Sequence, residues 1–456
     1  MATVDVAGPR PKTLGDAELK GHLQRLRQTD NWTNWYYVLR TYLYLFAVLG
    51  GALAFYGHRE GWGVPFWVNV PVTLVAVVLV GAGQHQLSGL AHEASHHILF
   101  RNRYLNDLAG DWLCMFPLFS TLYHYRLQHL AHHQFVNDPQ RDPDISQLQT
   151  SGHWLPFPLP RPAVLWALVR HLWPLSLVRF ARVRAQYNSV GTDRSPYLKK
   201  GWTPANVARR AAVLYLLGLL AALAGLTLHG DPLLLAVVPA VMWLAVVLYY
   251  FFLPADRYHQ SRVHPVVSLR WVTVGRLTFI TAVFCGVAWL TLLITPWAAL
   301  YFVLLWMVPL FTSFSYFMIL RQTVQHGNGG RGWLSNTRVF FVNRLINFAV
   351  FPMGQDFHLP HHLYATVPHY RLRRLHQVLL DYPEYREQAV VVEGYFFPKD
   401  DPPARPTVVE VLGPAYAPKA REVHIDNSVL DDDEVEDRAG LVREGELEKR
   451  RIETGA

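Results

Sequence analysis

The sequence predicts an all-α, multi-pass helical membrane protein with a cytosolic histidine-rich helical cap. Three observations lead there. Of 456 residues, 51% are hydrophobic and only 17% charged, too apolar a balance for an ordinary soluble enzyme of this size. Six charge-poor runs have the length, about 20 residues as a helix, that crosses the hydrocarbon core of a bilayer. Three dense histidine clusters, HEASHH from His92, HLAHH from His129 and HLPHH from His358, lie between and after those runs.

Taken in order, residues 1–34 are polar and lack the basic, apolar and small-residue succession of a secretory signal, so a cytosolic amino-terminal segment is expected. Trp32, Trp35, Tyr36 and Tyr37 then mark a headgroup-level aromatic belt, and a first span is expected over 37–57 with Arg40 reaching back to the interface. A second follows over 66–90 and delivers His92 to the side where the chain began. Between residues 92 and 200 the apolar patches are interrupted by Pro117, Arg170, His171 and Pro174, which reads as helices lying along the bilayer. Spans over 208–228 and 233–253 are joined by His229, Gly230, Asp231 and Pro232, a tight hairpin. The uncharged stretch 277–320 would be roughly 66 Å long as one helix, twice the bilayer core. It is therefore divided into 277–294 and 297–320, with the turn at Thr295 and Pro296.

Six crossings give a useful parity. Two spans precede the first cluster, none separates it from the second, and four lie before the third, so all three fall on one face. Lys199, Lys200, Arg209, Arg210, Arg257, Arg262, Arg270, Arg276, Arg321 and Arg331 lie on that face, against Arg59 alone on the other. By the positive-inside rule the cluster face, with both termini, is cytosolic. The net charge of +8 includes twelve acids and five bases in residues 422–456. The basic excess elsewhere thus serves topology and membrane lipid, and no nucleic-acid partner is required. The cap comprises about 92–200 and 321–399, closing a membrane unit over 35–399. The Pro-rich and then acidic remainder, 400–456, is expected to be disordered. Cys114 and Cys285 sit in apolar surroundings and read as packing residues.

The clusters carry the chemistry. His92 with His96, His129 with His133, and His358 with His362 are four apart, which sets both rings on one helix face a turn apart. His132 and His361 add neighbours, giving eight imidazoles. Imidazole suits zinc, copper, iron and nickel, and eight ligands are too many for one such ion, so two ions are the economical count. Isolated histidines such as His85, His124, His153 and His376 read as hydrogen-bonded structural residues. His97, adjacent to His96, must point elsewhere on a helix. Metal-bound imidazoles usually donate their other N–H to an oxygen, so Glu93, Asp107, Asp111, Asp144 and Asp356 are candidate partners. Pairing of such carboxylates with Arg101, Arg103 or Arg126 is the competing reading. Trp112, Phe116, Phe119, Tyr123 and Phe357 flank the clusters and are candidates to line an apolar substrate tunnel, with plain core packing as the alternative.

The pattern H-x-x-x-H, H-x-x-H-H, H-x-x-H-H, with spans between its second and third boxes, resembles the integral-membrane fatty acid desaturase and hydroxylase superfamily. Asn137, Asp142-Pro143-Asp144 and HHLYATVPHYRLRRLH after the third box add to the likeness. The resemblance implies two non-haem Fe ions, consumption of O2 and two electrons, and attack on an unactivated C–H bond of a long acyl chain or other lipid. It also implies a further ligand between the last span and the third box, where QTVQHG supplies His326. No catalytic group beyond the metal ligands is implied. The third box begins with His358 and not Gln, which disfavours the front-end desaturases. Neither an H-P-G-G haem motif nor a ferredoxin cysteine pattern occurs, so electrons are expected from a separate carrier of ferredoxin, rubredoxin or cytochrome type. Hydroxylase, decarboxylase and ketolase chemistry on a fatty acid, alkane or carotenoid are the alternatives within the superfamily. A non-catalytic metal transporter is the alternative of another class, disfavoured because its histidines belong along a transmembrane path.

Overall fold

The computed structural model describes residues 12–192, 195–199, 202, 206–418 and 423–424. Over these residues the chain forms α1 (Ala17–Leu26), α2 (Thr33–His58), α3 (Asn69–Ser95), α4 (Arg103–Ala109), α5 (Leu122–Gln134), α6 (Pro143–Ser151), α7 (Arg161–Arg170), α8 (Pro174–Ala185) and α9 (Asn206–His229). There follow α10 (Pro232–Phe252), α11 (Leu269–Leu293), α12 (Ala298–Phe302), α13 (Val308–Phe311), α14 (Ser313–His326), α15 (Arg344–Val350), α16 (His358–Leu363), α17 (His369–Leu379) and α18 (Pro383–Gln388). Two short strands, β1 (Arg338–Phe341) and β2 (Val390–Glu393), pair in parallel with Arg338 opposite Val390. The fold is all-α apart from that ribbon.

Six helical stretches among the described residues are long and apolar enough to cross a membrane: α2, Phe66–Ser95, α9, α10, α11 and the broken run Ala298–His326. Five of the six are longer than the apolar run in the sequence that announces them, and α10 equals its run at 21 residues. Polar side chains inside the protein find backbone partners there, as Gln84, His85 and Gln86 do at the Trp306, Ala349 and Phe348 carbonyls, so helices continue past the point where hydropathy fades. The clearest case is α3, which passes from apolar residues through Gln84, His85, Gln86, Ser88, His92 and Glu93 without interruption, all of them buried. The first histidine cluster therefore begins on the second spanning helix itself and not in a separate cap.

Helix α3 is the central post. It packs between α2 and α14, and its approach to α14 is so close that a Cβ on Gly81 would lie 2.1 Å from Ser313 Oγ and 2.7 Å from the Phe314 nitrogen. Glycine is required at that crossing. Helices α9, α10 and α11 form a second group around Tyr215, Leu219, Tyr250 and Leu277. The last span is interrupted by a π-helical turn at Val303–Met307 and a break at Thr312, each next to Pro309. Between α3 and α9, α7 and the α8 segment meet at 82°, the re-aimed helices that Pro174 imposes.

The segment after residue 400 departs from expectation. Thr407, Val408, Val409, Val411 and Leu412 are essentially inaccessible and pack against Val324, Phe340, Phe351 and Tyr395. Its four valines and leucines give it an apolar surface that the Pro-rich composition masks. The acidic stretch 425–456 lies outside the described residues, as do the first eleven residues.

Candidate metal centre

Four helices bring the histidines together. His92 comes from the last turn of α3 and His96 from its C-cap, after which His97 turns away with φ of 57°. The start of α5 is set by Asp111, whose Oδ1 accepts the Leu122 N–H at 2.7 Å. That helix carries His129, His132 and His133 inward. His326 ends α14, and α16 presents His358, His361 and His362.

The nine rings sort into two groups. His92, His96, His129, His133 and His361 form one, and His132, His326, His358 and His362 the other, with ligand-capable atoms in each group within 4.8 Å of one another. Adjacent residues on a helix point about 100° apart. That angle sends His132 and His133 to different groups, and likewise His361 and His362. The groups are contiguous, with the His133 and His362 rings stacked at 4.1 Å.

Within each group Nε2 atoms face one another: His96 to His129 at 2.8 Å, His133 to His361 at 3.0 Å, His326 to His358 at 2.9 Å and His132 to His326 at 3.2 Å. Several outer nitrogens are committed to oxygen. His132 Nδ1 lies 3.0 Å from Asp142 Oδ1, His326 Nδ1 lies 3.1 Å from the Asn336 carbonyl, and His92 Nδ1 lies 3.3 Å from Glu93 Oε1. An Nδ1–H bonded outward leaves Nε2 with a bare lone pair pointing inward. Lone pairs so converged repel unless a cation sits among them, and an all-imidazole donor set suits first-row transition metals, iron included.

Electrostatics agree with that fit. Burial holds His129, His133, His358, His361 and His362 well below the ordinary histidine value, and the neighbouring rings push the same way. Neutral imidazole is the ligating form. His132 differs: burial opposes its proton, but Asp142 and then Asp144 outweigh this and raise it to about 9.

The candidate partners fare unequally. Glu93 and Asp144 lie near the rings, Asp144 Oδ2 at 3.9 Å from His132 Nδ1. Asp107 does not; its carboxylate takes both terminal nitrogens of buried Arg126, at 2.6 and 2.9 Å, the pairing that a nearby guanidinium favours. Asp111 caps the approach to α5, and Asp356 accepts from Asn347 Nδ2 at 2.9 Å. Three neighbours of the rings are not among the partners expected from the sequence: Asp142, which enters there only through the family likeness, the Asn336 carbonyl, and Gln355, whose Nε2 is 3.1 Å from both nitrogens of His92. Of these, Asp142 has a legible signal, since Asp before Pro is a helix N-cap signature that aims a carboxylate at the preceding helix.

The aromatic candidates line neither the small chamber beside the rings nor the larger cleft described next. Trp112 and Phe116 pack on Phe279 of α11, Phe119 stacks on Phe284, and Tyr123 donates to the Val263 carbonyl at 2.8 Å. Phe357 belongs to a separate core with Phe341 and His376. These contacts are packing contacts, the commoner fate of aromatics, though Phe357 also borders a further cleft beside Asn343 and Tyr395. A cleft of about 860 Å³ opens instead between α9, α11 and the π-helical turn Gln186–Val190, with Tyr187, Val213, Leu216, Tyr250 and Val272 on its walls. The isolated histidines all stand outside the two groups. His85 reaches the Ala349 carbonyl, His124 Thr121, His153 Ser151 and Ser176, and His376 the Tyr385 hydroxyl.

A multi-pass membrane protein with two contiguous, buried polyhistidine groups at the ends of its helices is thus defined by fold and site together. The family model for fatty acid desaturases matches residues 66–270 and 249–393. This chain belongs to that family. It is 32% identical to the dihydrorhizobitoxine desaturase of Bradyrhizobium elkanii over 22% of this chain and 32% of that one. It is 39% identical to the Delta(5) fatty acid desaturase fat-4 of Caenorhabditis elegans over 16% of each chain. The aligned stretches cover less than two thirds of the length of either relative.

Proposed function

We propose that this chain is a membrane di-iron oxygenase that uses O2 and two electrons to introduce a double bond into a long acyl chain. The observation that carries this reading is the pair of buried imidazole groups, five rings and four, whose inner nitrogens converge while the outer nitrogens of His92, His132 and His326 face oxygen. Iron held there would supply the dioxygen activation needed to break an unactivated C–H bond. Two adjacent methylenes lose one hydrogen each; these, with two electrons and two protons, reduce O2 to two waters. Both relatives are named for desaturation, which favours an alkene over an alcohol as product.

The protein's own part is placement. Asp142, the Asn336 carbonyl and Glu93 fix ring orientation and tautomer. Arg126 holds the end of α3 by donating to the Ser95 and Ala94 carbonyls, at 3.0 and 2.9 Å, while gripping Asp107. Burial of eight of the nine rings keeps bulk water away from a reactive oxidant. The basic bias of the histidine side supports a cytosolic orientation, with electrons arriving from a separate ferredoxin, rubredoxin or cytochrome type carrier.

Expression in a host of known lipid composition tests this, with iron quantified on the purified protein and total fatty acids and hydrocarbons analysed by mass spectrometry. Two irons per chain and a new double bond are expected. A new hydroxyl would move the reading to a hydroxylase; bound zinc with metal flux in liposomes would sink it.

A further inference from the structure

The chamber beside the histidines has the wrong lining for the middle of a hydrocarbon chain. His92, His129, His132 and His358 share its lining with Arg184, Arg321, Asn188 and Gln322. Arg321 is 6% exposed, and its Nε and Nη1 have no hydrogen-bond partner. Neither arginine forms an ion pair among the described residues. Arg184 has only a 3.4 Å contact to Ser88 Oγ and a place over the Phe314 ring. One carboxylate, Asp144, is among the lining residues; it lies 3.9 Å from His132 Nδ1 and also acts electrostatically on both arginines, without an ion pair to either. A buried guanidinium with idle donors is costly, and a membrane protein keeps one where an anion is to be met.

Size narrows the anion. The chamber is about 30 Å³, room for about two water-sized groups, which suits the two oxygens of a carboxylate better than a phosphate. Position narrows the chemistry. Arg321 and His326 are five residues apart on α14, or about 7.5 Å along the axis. A carboxylate on Arg321 therefore sets the carbons next to it, and not a remote methylene, before the histidines.

We propose that the substrate is a free carboxylic acid presented head-first, its carboxylate seated against Arg321 with Arg184 alongside, so that the C–H bond attacked lies within a few carbons of the carboxyl group. This deepens the oxygenase reading above and rests on it for the reaction, though not for the anion site. Arg321 and Arg184 are substrate-binding and positioning residues in it.

The test uses the full chain in detergent and two water-soluble probes, hexanoate and hexan-1-ol, followed by saturation-transfer NMR, with iron content measured on the same sample. Wild type should transfer at least tenfold more strongly to hexanoate, and the α-methylene protons should receive more than the terminal methyl. Arg321→Gln should erase the preference and Arg321→Lys should retain part of it; Arg184→Gln should weaken it and serves where the Arg321 variants fail to fold. Equal transfer to the two probes in wild type, or a methyl terminus that receives most, overturns the proposal. A chain that takes up no iron but prefers hexanoate, with the preference lost in Arg321→Gln, refutes the oxygenase reading and supports the anion site. With iron bound and a turning-over acid, a double bond fixed at mid-chain also overturns head-first presentation.

Discussion

Asp142 and His132 meet at 3.0 Å, carboxylate oxygen to Nδ1, while the same Asp142 carboxylate caps α6 by accepting the Asp144 N–H at 2.9 Å. One residue thus fixes a helix start and the tautomer of a ring. Asp142→Asn keeps a capping oxygen and removes the charge that holds the proton on Nδ1. Thermal stability should change little, while metal affinity falls by about 10 to 100-fold. Chelator competition measures this, and unchanged affinity would reduce Asp142 to a loop organiser.

His326 is one of only four rings in the second group. Removing it as His326→Ala should leave the first group intact and lower iron from two to about one per chain, with loss of turnover. The exposed His58, remote from both groups, is the control, and His58→Ala should retain both irons. Full iron and full turnover in His326→Ala would take His326 out of the ligand set.

The contact of α3 with α14 leaves no room for a methyl group at Gly81, whereas a Cβ on Gly50 meets nothing within 4 Å. Gly81→Ala should therefore destabilise by about 1–3 kcal/mol through overpacking, and Gly50→Ala should not. Thermal unfolding in detergent distinguishes the two. Because α3 also carries His92, Gly81→Ala should loosen metal binding as well.

Burial lowers His376 to about 4, with Arg405 acting in the same direction. The unfolded chain takes up this proton near the ordinary value of 6.5, so its contribution is present above pH 6.5 and is lost as pH falls toward 4. The full loss is about 3 kcal/mol for a shift of this size. His376→Gln, which can still bond the Tyr385 hydroxyl, should lose less thermal stability than wild type between pH 7.5 and 5. Parallel losses in the two proteins would show that His376 is not responsible.

The spanning helices and the eight box histidines are legible because each rests on a one-dimensional pattern: an apolar run of bilayer length, or rings four apart. His326 has no such pattern and was reached only through family resemblance. Gln355 and the Asn336 carbonyl leave no signal at all, since a lone amide and a backbone oxygen become partners only when α14, α16 and the β1 segment meet. Asp107 and Asp111 show the converse. They stand near the boxes in sequence, yet a buried arginine and a helix start lay claim to them. The aromatics beside the boxes lie off both the chamber and the larger cleft for a similar reason, since proximity along the chain does not say which side of a helix faces a cavity. The packing of 407–412 was hidden because overall composition averages a short apolar stretch with its proline-rich surroundings.

The division of neighbouring histidines between two groups has a mechanical consequence. His132 and His133 are carried by one rigid helix and His361 and His362 by another, so neither group can adjust its geometry without turning the other. An ion arriving in one group locks the rotation of α5 and α16, and the second then finds its ligands already aimed. Iron uptake should accordingly be cooperative, with half-loaded chains scarce at intermediate iron. Native mass spectrometry during an anaerobic titration reads the two populations directly, and a statistical distribution of singly loaded chains would show that the two helices do not couple the sites.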